Sequence, residues 1–128
     1  MAYLKPPWFT RAIFNKIAMA TGVGNSVTLT VTRRVSRQPQ QIPVVVPDVA
    51  GVKYLVSTRG ETEWVRNVRA DNTVKVGDVS YTATEVPVEQ RGPIIAAYRS
   101  LAGKAVEGYW RRLPDDADHP VFALAPRQ

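Results

Sequence analysis

The chain contains no cysteine. It can therefore form no disulfide, no thiolate nucleophile and no zinc–thiolate site, and the absence fits a reducing compartment, so we expect a cytoplasmic protein. The single histidine, His119, leaves any metal site dependent on carboxylates. Three clustered aspartates, Asp115, Asp116 and Asp118, lack the ligand spacing of a hard-cation loop, and we expect them to form a solvated turn. The sequence predicts no metal site.

A hydrolytic centre is also unsupported. A serine or threonine nucleophile would have to share the same histidine, and no G-x-S-x-G elbow occurs anywhere in the chain. Any chemistry should then come from a bound organic cofactor.

Long hydrophobic runs are missing as well. The apolar character of residues 1–22 is broken by Arg11, Asn15 and Lys16, which argues against a signal peptide and a membrane span. Residues 9–20 instead show helical spacing, so we expect residues 1–22 to contain an amphipathic helix. Three roles stay open for it: a lid over a pocket, pairing of subunits in a homodimer, or contact with a membrane surface. Its apolar stripe comprises Trp8, Phe9, Ile13 and Ile17.

The rest of the sequence favours a small sheet. With 128 residues we expect one domain, residues 1–128. Alternating apolar residues and turn signals predict six short strands, at residues 27–32, 42–46, 52–56, 74–76, 79–85 and 119–124. Pro43 should mark an edge or a bulge. Helical spacing predicts helices at residues 61–70, with Thr62 as the N-cap, and at residues 87–101, interrupted by Gly92-Pro93. The expected fold is mainly β with flanking helices, as a small barrel or split β-barrel.

A formal net charge of +6 allows three interpretations: a solvated basic surface, a nucleic-acid patch, or a pocket for an anionic small molecule. Nucleic-acid binding would require aromatic residues interleaved with the arginines, and only Trp64 comes close. We therefore expect no nucleic-acid partner. The arginines form three groups, Arg33 with Arg34 and Arg37, Arg59 with Arg66 and Arg69, and Arg111 with Arg112.

Two segments place arginines and hydroxyls where a strand ends, residues 32–40 and residues 57–70. In the second, the backbone N–H groups at the start of the helix point toward the same region. Such donors suit phosphate or carboxylate groups. Trp64 offers a flat face for stacking, and Asn67 lies one turn further along the helix. The alternative stays open that Trp64 fills the barrel and Asn67 ties down a loop.

These segments resemble the deazaflavin-dependent nitroreductase family, the coenzyme F420-dependent quinone and enoate reductases. The segment YLVSTRGETEWVRNVRA, residues 54–70, is similar to the family pattern Y-L-V-x-x-x-G-E-x-x-W-V-R-N-x-R-A, and HPVFAL, residues 119–124, is similar to its last strand. The resemblance covers residues 27–124. It implies an FMN-binding-like split barrel in which reduced F420 transfers a hydride to an apolar quinone, enone, enoate or nitro compound.

The phosphate-binding turn of that family typically reads T-x-G-R-K-[ST]-G-x-x-R. This chain has Arg34 for the motif arginine, Ser36 for the hydroxyl and Pro43 for a later proline. It departs from the pattern at four positions, Arg33 and Arg37 for glycines, Val35 for lysine and Gln40 for the last arginine. The resemblance implies the cofactor-binding residues Arg34, Val35, Ser36, Pro43, Ser57, Thr58, Arg59, Gly60, Trp64 and Asn67.

Two alternatives to an F420 enzyme remain. One branch of the family resembles it in fold but is thought to bind lipid-like ligands, and the altered turn is compatible with a non-catalytic barrel for a fatty-acid-like anion. FMN is a less favoured cofactor. In either flavin-type reading the cofactor carries the hydride, so no catalytic side chain needs to be visible. Tyr98 and Tyr109 are candidate proton donors, although a tyrosine on the apolar stripe of a helix is more often a core residue.

Overall fold

The computed structural model describes residues 26–127, and the predicted helix at residues 9–20 and the lid assigned to residues 1–22 lie outside that range. A single antiparallel sheet of seven strands, with the order β2-β1-β5-β6-β7-β4-β3, dominates the described chain. The strands are β1 Ser26–Thr32, β2 Pro39–Val45, β3 Asp48–Val49, β4 Val52–Val56, β5 Thr73–Val76, β6 Val79–Glu85 and β7 Val121–Pro126. The sheet curls into a split barrel, which confirms the expected fold class.

Within residues 26–127, three helices flank the sheet, α1 Glu63–Ala70, α2 Gly92–Ala102 and α3 Glu107–Arg112. Short 3-10 turns occupy Val88–Gln90, Gly103–Val106 and Asp116–Asp118. Of the helices in residues 26–127, none combines the length and the apolar character that crossing a bilayer requires.

Two hydrophobic clusters cover the two faces of the sheet. Along β7, Val121 and Ala123 pack in one cluster, whereas Phe122 and Leu124 pack in the other, because successive side chains of a strand point to opposite faces. One face is covered by α2 and α3. The other is covered by α1, whose Trp64, Val65 and Val68 are buried among strand residues of β1, β4, β5, β6 and β7. Each such side chain contributes about 1.5–3 kcal/mol through its burial, so α1 is firmly anchored inside the curled sheet.

Most predicted elements are confirmed, and their boundaries differ for physical reasons. Strand β2 begins at Pro39 rather than at residue 42, since the hairpin register extends the pairing to Thr32↔Pro39. Pro43 lies on an edge strand, as predicted. Gly92-Pro93 begins α2 instead of interrupting a longer helix, because a proline fits the first turn, where its missing N–H has no partner to lose.

The sequence analysis missed two short elements. Strand β3 has only two residues, and the two-residue turn Ala50-Gly51 connects it to β4 with φ angles of 53° and 86°. Helix α3 has only six residues, too few for a helical period to stand out. The last strand begins at Val121, so His119 and Pro120 precede it and belong to a buried connection.

Candidate functional site: a groove lined by arginines and a small buried pocket

The β1–β2 turn and helix α1 enclose an open groove of about 300 Å³. The two segments that the sequence analysis singled out therefore meet in space. The lining residues are Arg33, Arg34, Val35, Ser36, Gln40, Glu63 and Asn67.

The turn has a defined backbone path. The Arg33 N–H donates to the Gln38 carbonyl at 2.9 Å, and the Arg37 N–H donates to the Arg33 carbonyl at 3.0 Å. Arg37 has a φ of 65°, in the left-handed region that favours glycine. The resembled family usually has a glycine at this position, so the turn keeps a glycine-like conformation although the residue has changed. The Arg37 guanidinium pairs with the Asp71 carboxylate at 3.1 Å, which ties this side of the turn to the end of α1.

Asn67 joins the turn to the helix. Its Oδ1 accepts hydrogen bonds from the Arg34 backbone N–H at 3.0 Å and from Arg34 Nη1 at 2.8 Å. Its Nδ2 donates to Gln40 Oε1 at 2.9 Å. The side chain is almost fully buried, and both of its polar ends are engaged within the chain. Asn67 thus lines the groove, and its hydrogen bonds hold the β1–β2 turn against α1. This is the alternative role that the sequence analysis allowed for it.

The guanidinium of Arg34 lies between this amide and a carboxylate. Its Nη2 pairs with Glu63 Oε1 at 3.0 Å, and the Arg34 side chain is 32% exposed. Glu63 also faces Arg66, with Oε2 at 3.6 Å from Arg66 Nη1. The contacts with Asn67 and Glu63 use two of the five N–H donors of a guanidinium. The Arg34 guanidinium therefore keeps N–H donors that a ligand in the groove could use. Its acidic neighbour there is Glu63.

Val35 and Ser36 lie at the outer edge of the groove. Val35 is 88% exposed, and several other single valines of the chain are exposed to a smaller extent. The Ser36 Oγ accepts a hydrogen bond from the Gln38 N–H at 3.2 Å, which steadies the turn. A side chain that replaced Val35 would extend into solvent at the mouth of the groove.

A second, much smaller pocket of about 20 Å³ lies between β2, the loop after β4 and α2. Its size admits one water molecule or one ligand oxygen. The Thr62 side chain is buried there, and its Oγ1 has no hydrogen-bond partner among the described residues. Thr62 occupies the N-cap position of α1 as predicted, but its hydroxyl forms no capping bond. The lining residues are Pro43, Val44, Val45, Val56, Thr58, Arg59, Thr62, Trp64 and Tyr98.

Trp64 and Tyr98 form the aromatic walls of this pocket. Trp64 is 5% exposed and packs against Phe122 with ring centroids 6.0 Å apart, so most of its surface belongs to the core. Burial, with a smaller contribution from Tyr109, raises the pKa of Tyr98 well above that of a free tyrosine. Tyr98 therefore keeps its phenolic proton at any ordinary pH, and it lines the pocket whereas Tyr109 lies in the core cluster.

Ser57 and Gly60 shape the loop without lining either cavity. The Ser57 hydroxyl donates to the Gly60 carbonyl at 2.7 Å, and Gly60 has a φ of 80°, which glycine adopts without strain. His119 braces the same loop from the other side. Its Nδ1 lies 2.9 Å from the Ser57 carbonyl and its Nε2 lies 2.6 Å from the Leu113 carbonyl. The His119 ring also stacks on the Trp110 ring, with the ring centroids 4.1 Å apart. These contacts give His119 a structural role.

A charged network supports the far end of α1. Arg69 pairs with Glu61 and also with Glu85, the latter at 2.8 Å, and Arg91 reaches the same Glu85 carboxylate at 3.3 Å. Arg91 is almost fully buried and donates through Nε to the Val86 carbonyl. Hydrogen bonding with Arg69 lowers the pKa of Glu85, and the charge of Arg91 acts in the same direction. This network fixes the loop–helix segment against β6.

The donor set of the groove fits the anionic part of an F420-type cofactor. Arg33 and Arg34 supply cationic N–H donors and Ser36 supplies a hydroxyl, which are suitable partners for phosphate or carboxylate oxygens. The small pocket does not fit a tricyclic ring, since ligand pockets usually measure about 300–1,000 Å³. It fits one edge atom of such a ring or a substrate oxygen. Within residues 26–127, no group of three histidine, aspartate or glutamate side chains is arranged to hold a metal ion.

The structure brings eight of the ten expected cofactor residues to one or other cavity, and Pro43, Thr58, Arg59 and Trp64 form the pocket side of that set. The sequence analysis did not select Gln40, Glu63 or Thr62 as site residues. Gln40 was only noted as a departure from the family turn. Thr62 was predicted as the N-cap alone, and nothing in the sequence spacing indicates that Glu63 contacts an arginine 29 positions away.

No protein-family model and no curated protein matches the chain. Solved structures are similar to it in fold. A protein of unknown function from Agrobacterium tumefaciens has a TM-score of 0.65 at 18% identity; the match covers 90% of this chain but only 55% of that one. An F420-H2 dependent reductase has a TM-score of 0.51 at 24% identity, with 79% of this chain and 94% of that one covered.

A heme storage protein from Vibrio cholerae has a TM-score of 0.62 at 11% identity, with 98% and 92% of the two chains covered. Identities this low establish the split-barrel fold alone. Since the same fold serves proteins with different ligands, function has to be argued from the site.

Proposed function

We propose that this chain is an F420-dependent oxidoreductase that transfers a hydride from the reduced deazaflavin to an apolar quinone, enone, enoate or nitro compound. One observation carries the proposal: the turn that resembles the phosphate-binding turn of the deazaflavin family forms a cationic groove with the helix that resembles the same family. The left-handed conformation of Arg37 supports it, because the turn keeps its path where the family glycine is missing.

Each part of the site has a role in this proposal. When bound in its reduced form, the cofactor would supply a hydride, which carries both electrons of the reduction. Arg33 and Arg34 bind its anionic tail, and Asn67 holds Arg34 at the groove. The pocket beside Trp64 excludes bulk water and receives one oxygen atom. There the Thr62 hydroxyl and the protonated Tyr98 hydroxyl provide hydrogen bonds to an oxygen that gains negative charge during reduction.

Fluorescence titration with the deazaflavin, alongside FMN, tests the cofactor assignment. We expect tighter binding of the deazaflavin, and equal or tighter binding of FMN would reject it. Oxidation of the reduced deazaflavin by a small quinone, followed by absorbance, tests the reaction. If the protein bound the reduced deazaflavin but no quinone, enone or nitro compound oxidised it, the protein would be a cofactor-binding protein and not a reductase.

Arg34→Ala tests the location of the site. The loss of a charge-assisted hydrogen bond costs about 1.5–3 kcal/mol, so the dissociation constant of the deazaflavin should rise roughly ten- to a hundred-fold. Arg112→Ala is the matched control, since it removes the same charge from an exposed position outside the groove. Unchanged binding in a folded Arg34→Ala protein, or an equal loss in the control, would place the cofactor elsewhere.

A non-catalytic barrel for a fatty-acid-like anion is the second candidate. The exposed Val35 at the groove favours it, because an apolar side chain replaces the lysine that is usual in the resembled turn. Val35→Lys separates the two. In an F420 enzyme the added ammonium should tighten deazaflavin binding a few-fold at low salt, since exposed ion pairs contribute about 0.2–1 kcal/mol. In a fatty-acid-binding barrel whose acyl chain packs on Val35, the loss of that apolar contact should weaken binding of a long-chain fatty acid, and the deazaflavin should not bind more tightly.

A further inference from the structure

Glu63 is the one acidic residue that lines the groove, within the part of the chain that the structure describes. It is the first residue of α1, and its side chain is 57% exposed. One carboxylate oxygen lies 3.0 Å from Arg34 Nη2 and the other lies 3.6 Å from Arg66 Nη1. The Glu63 carboxylate thus pairs with the same guanidinium that an anionic ligand would approach.

The position of Glu63 makes it a competitor for the ligand. Three charged side chains line the groove, Arg33, Arg34 and Glu63, so the carboxylate offsets one of the two cations. It also lies in the first turn of α1, where an acidic side chain offsets the positive end of the helix dipole. Both effects reduce the attraction for an incoming anion, and the repulsion grows with the charge of that anion.

We propose that Glu63 determines the charge selectivity of the groove, by pairing with Arg34 in place of the ligand and so disfavouring ligands in proportion to their negative charge. The inference rests on the proposed function, in that it assigns the groove to the anionic part of a flavin-type cofactor. A phosphate monoester such as that of FMN carries about −1.5 to −2 charges at neutral pH and should be affected most. A neutral ligand of the same ring type, riboflavin, should not be affected.

Glu63→Gln removes the charge and nearly preserves the shape. Because the pair is partly exposed, we expect FMN to bind about two- to five-fold more tightly in the variant at low salt, with a smaller gain at high salt and unchanged riboflavin binding. Stabilisation by inorganic phosphate, measured as the rise in melting temperature with phosphate concentration, should increase in parallel. Glu63→Ala repeats the test without the amide.

Asp71→Asn is the matched control. It removes a carboxylate that pairs with Arg37 at 3.1 Å and does not line the groove, and asparagine can still accept the Thr73 N–H bond. If Asp71→Asn tightened FMN and phosphate binding as much as Glu63→Gln, the effect would come from the net charge of the protein, and the inference would be overturned. Unchanged or weaker FMN and phosphate binding in folded Glu63 variants would also overturn it, as would a groove with no measurable phosphate binding in any variant.

The failure of the proposed function has a different signature. If the native protein binds neither the deazaflavin nor FMN but its phosphate response still increases in Glu63→Gln, the F420 assignment is wrong and the role of Glu63 stands. If the deazaflavin binds tightly and the Glu63 variants change nothing, the cofactor assignment stands and the role of Glu63 is wrong.

Discussion

Thr62 contains a hydroxyl that is buried at the N-terminus of α1 and has no hydrogen-bond partner among the described residues. A polar group in that situation loses its hydration and receives nothing in return, which usually costs about 1–3 kcal/mol. The residue also forms no side-chain cap, so helix α1 does not depend on the hydroxyl. The hydroxyl therefore either forms a hydrogen bond with a ligand or water molecule that enters the pocket, or lowers the stability of the fold.

Thr62→Val separates these two possibilities. Valine has nearly the same shape without the hydroxyl, so the free energy of unfolding should rise by about 1–2 kcal/mol in urea denaturation. If the hydroxyl serves a ligand, the same variant should bind the deazaflavin or reduce its substrate less well. Ser57→Ala should have the opposite effect on stability, because the Ser57 hydroxyl donates to the Gly60 carbonyl at 2.7 Å. A Thr62→Val protein that is less stable than the native one would contradict this account.

Helix α1 and the β1–β2 hairpin are separate elements that share one buried amide. Asn67 satisfies the backbone N–H and the side chain of Arg34 together, and it reaches Gln40 on β2. Asn67 is the most buried of the helix residues that hold the turn in place. The turn has few other attachments to α1, the Arg34–Glu63 and Arg37–Asp71 pairs being partly exposed.

Asn67→Ala should lower the free energy of unfolding by about 1–3 kcal/mol, because it leaves the Arg34 N–H without its acceptor. The Arg34 amide, in the turn after β1, should also exchange its hydrogen faster in the variant than in the native protein, in hydrogen-exchange experiments. Gln40→Ala is the control, since it removes only the contact to Asn67 Nδ2. If Gln40→Ala accelerates exchange of the Arg34 amide as much as Asn67→Ala, Asn67 holds the turn through its contact with β2 and not through its contact with Arg34.

The elements that the sequence predicted well are those with a long, clean period. Strict alternation in residues 27–32 and 79–85 identifies β1 and β6, because one face of each strand is buried. The convergence of the turn and α1 could also be predicted, since both carry anion donors at strand ends. The Arg34–Glu63 pair and the unpartnered Thr62 hydroxyl could not, because they depend on how α1 rotates within the curled sheet.

At the scale of the whole molecule, Glu85 connects the parts that enclose the site. Through Arg69 it contacts α1, and through Arg91 it contacts the start of α2 and the connection that contains Asp116 and His119. The pairing with Arg69 holds the pKa of Glu85 below its usual value in the folded protein. A carboxyl whose pKa is lowered by folding stabilises the fold only when it is ionised.

The pH dependence of stability should reflect this. The stabilisation is fully present above the pKa of an unfolded glutamate, about 4.3, and is lost as the pH falls through the lower folded value. Native protein should therefore be more stable than Glu85→Gln near neutral pH, and the difference should shrink at strongly acidic pH, in urea denaturation across the pH range. Glu89→Gln, at an exposed carboxylate, is the control. A Glu85→Gln difference that stays constant with pH would contradict the prediction.

The order of strands in the sheet has a consequence for how the protein is made. Strand β7 lies between β6 and β4, and it pairs with both, for example Lys53↔Leu124 and Ala83↔Leu124. Until the ribosome has released β7, the hairpin of β3 and β4 has no neighbour that links it to β1, β2, β5 and β6. Helix α1 then has one wall of its burial site missing. We therefore expect the wall against which α1 packs to be complete only after translation has passed residue 126, and a nascent chain halted earlier should expose apolar surface to chaperones.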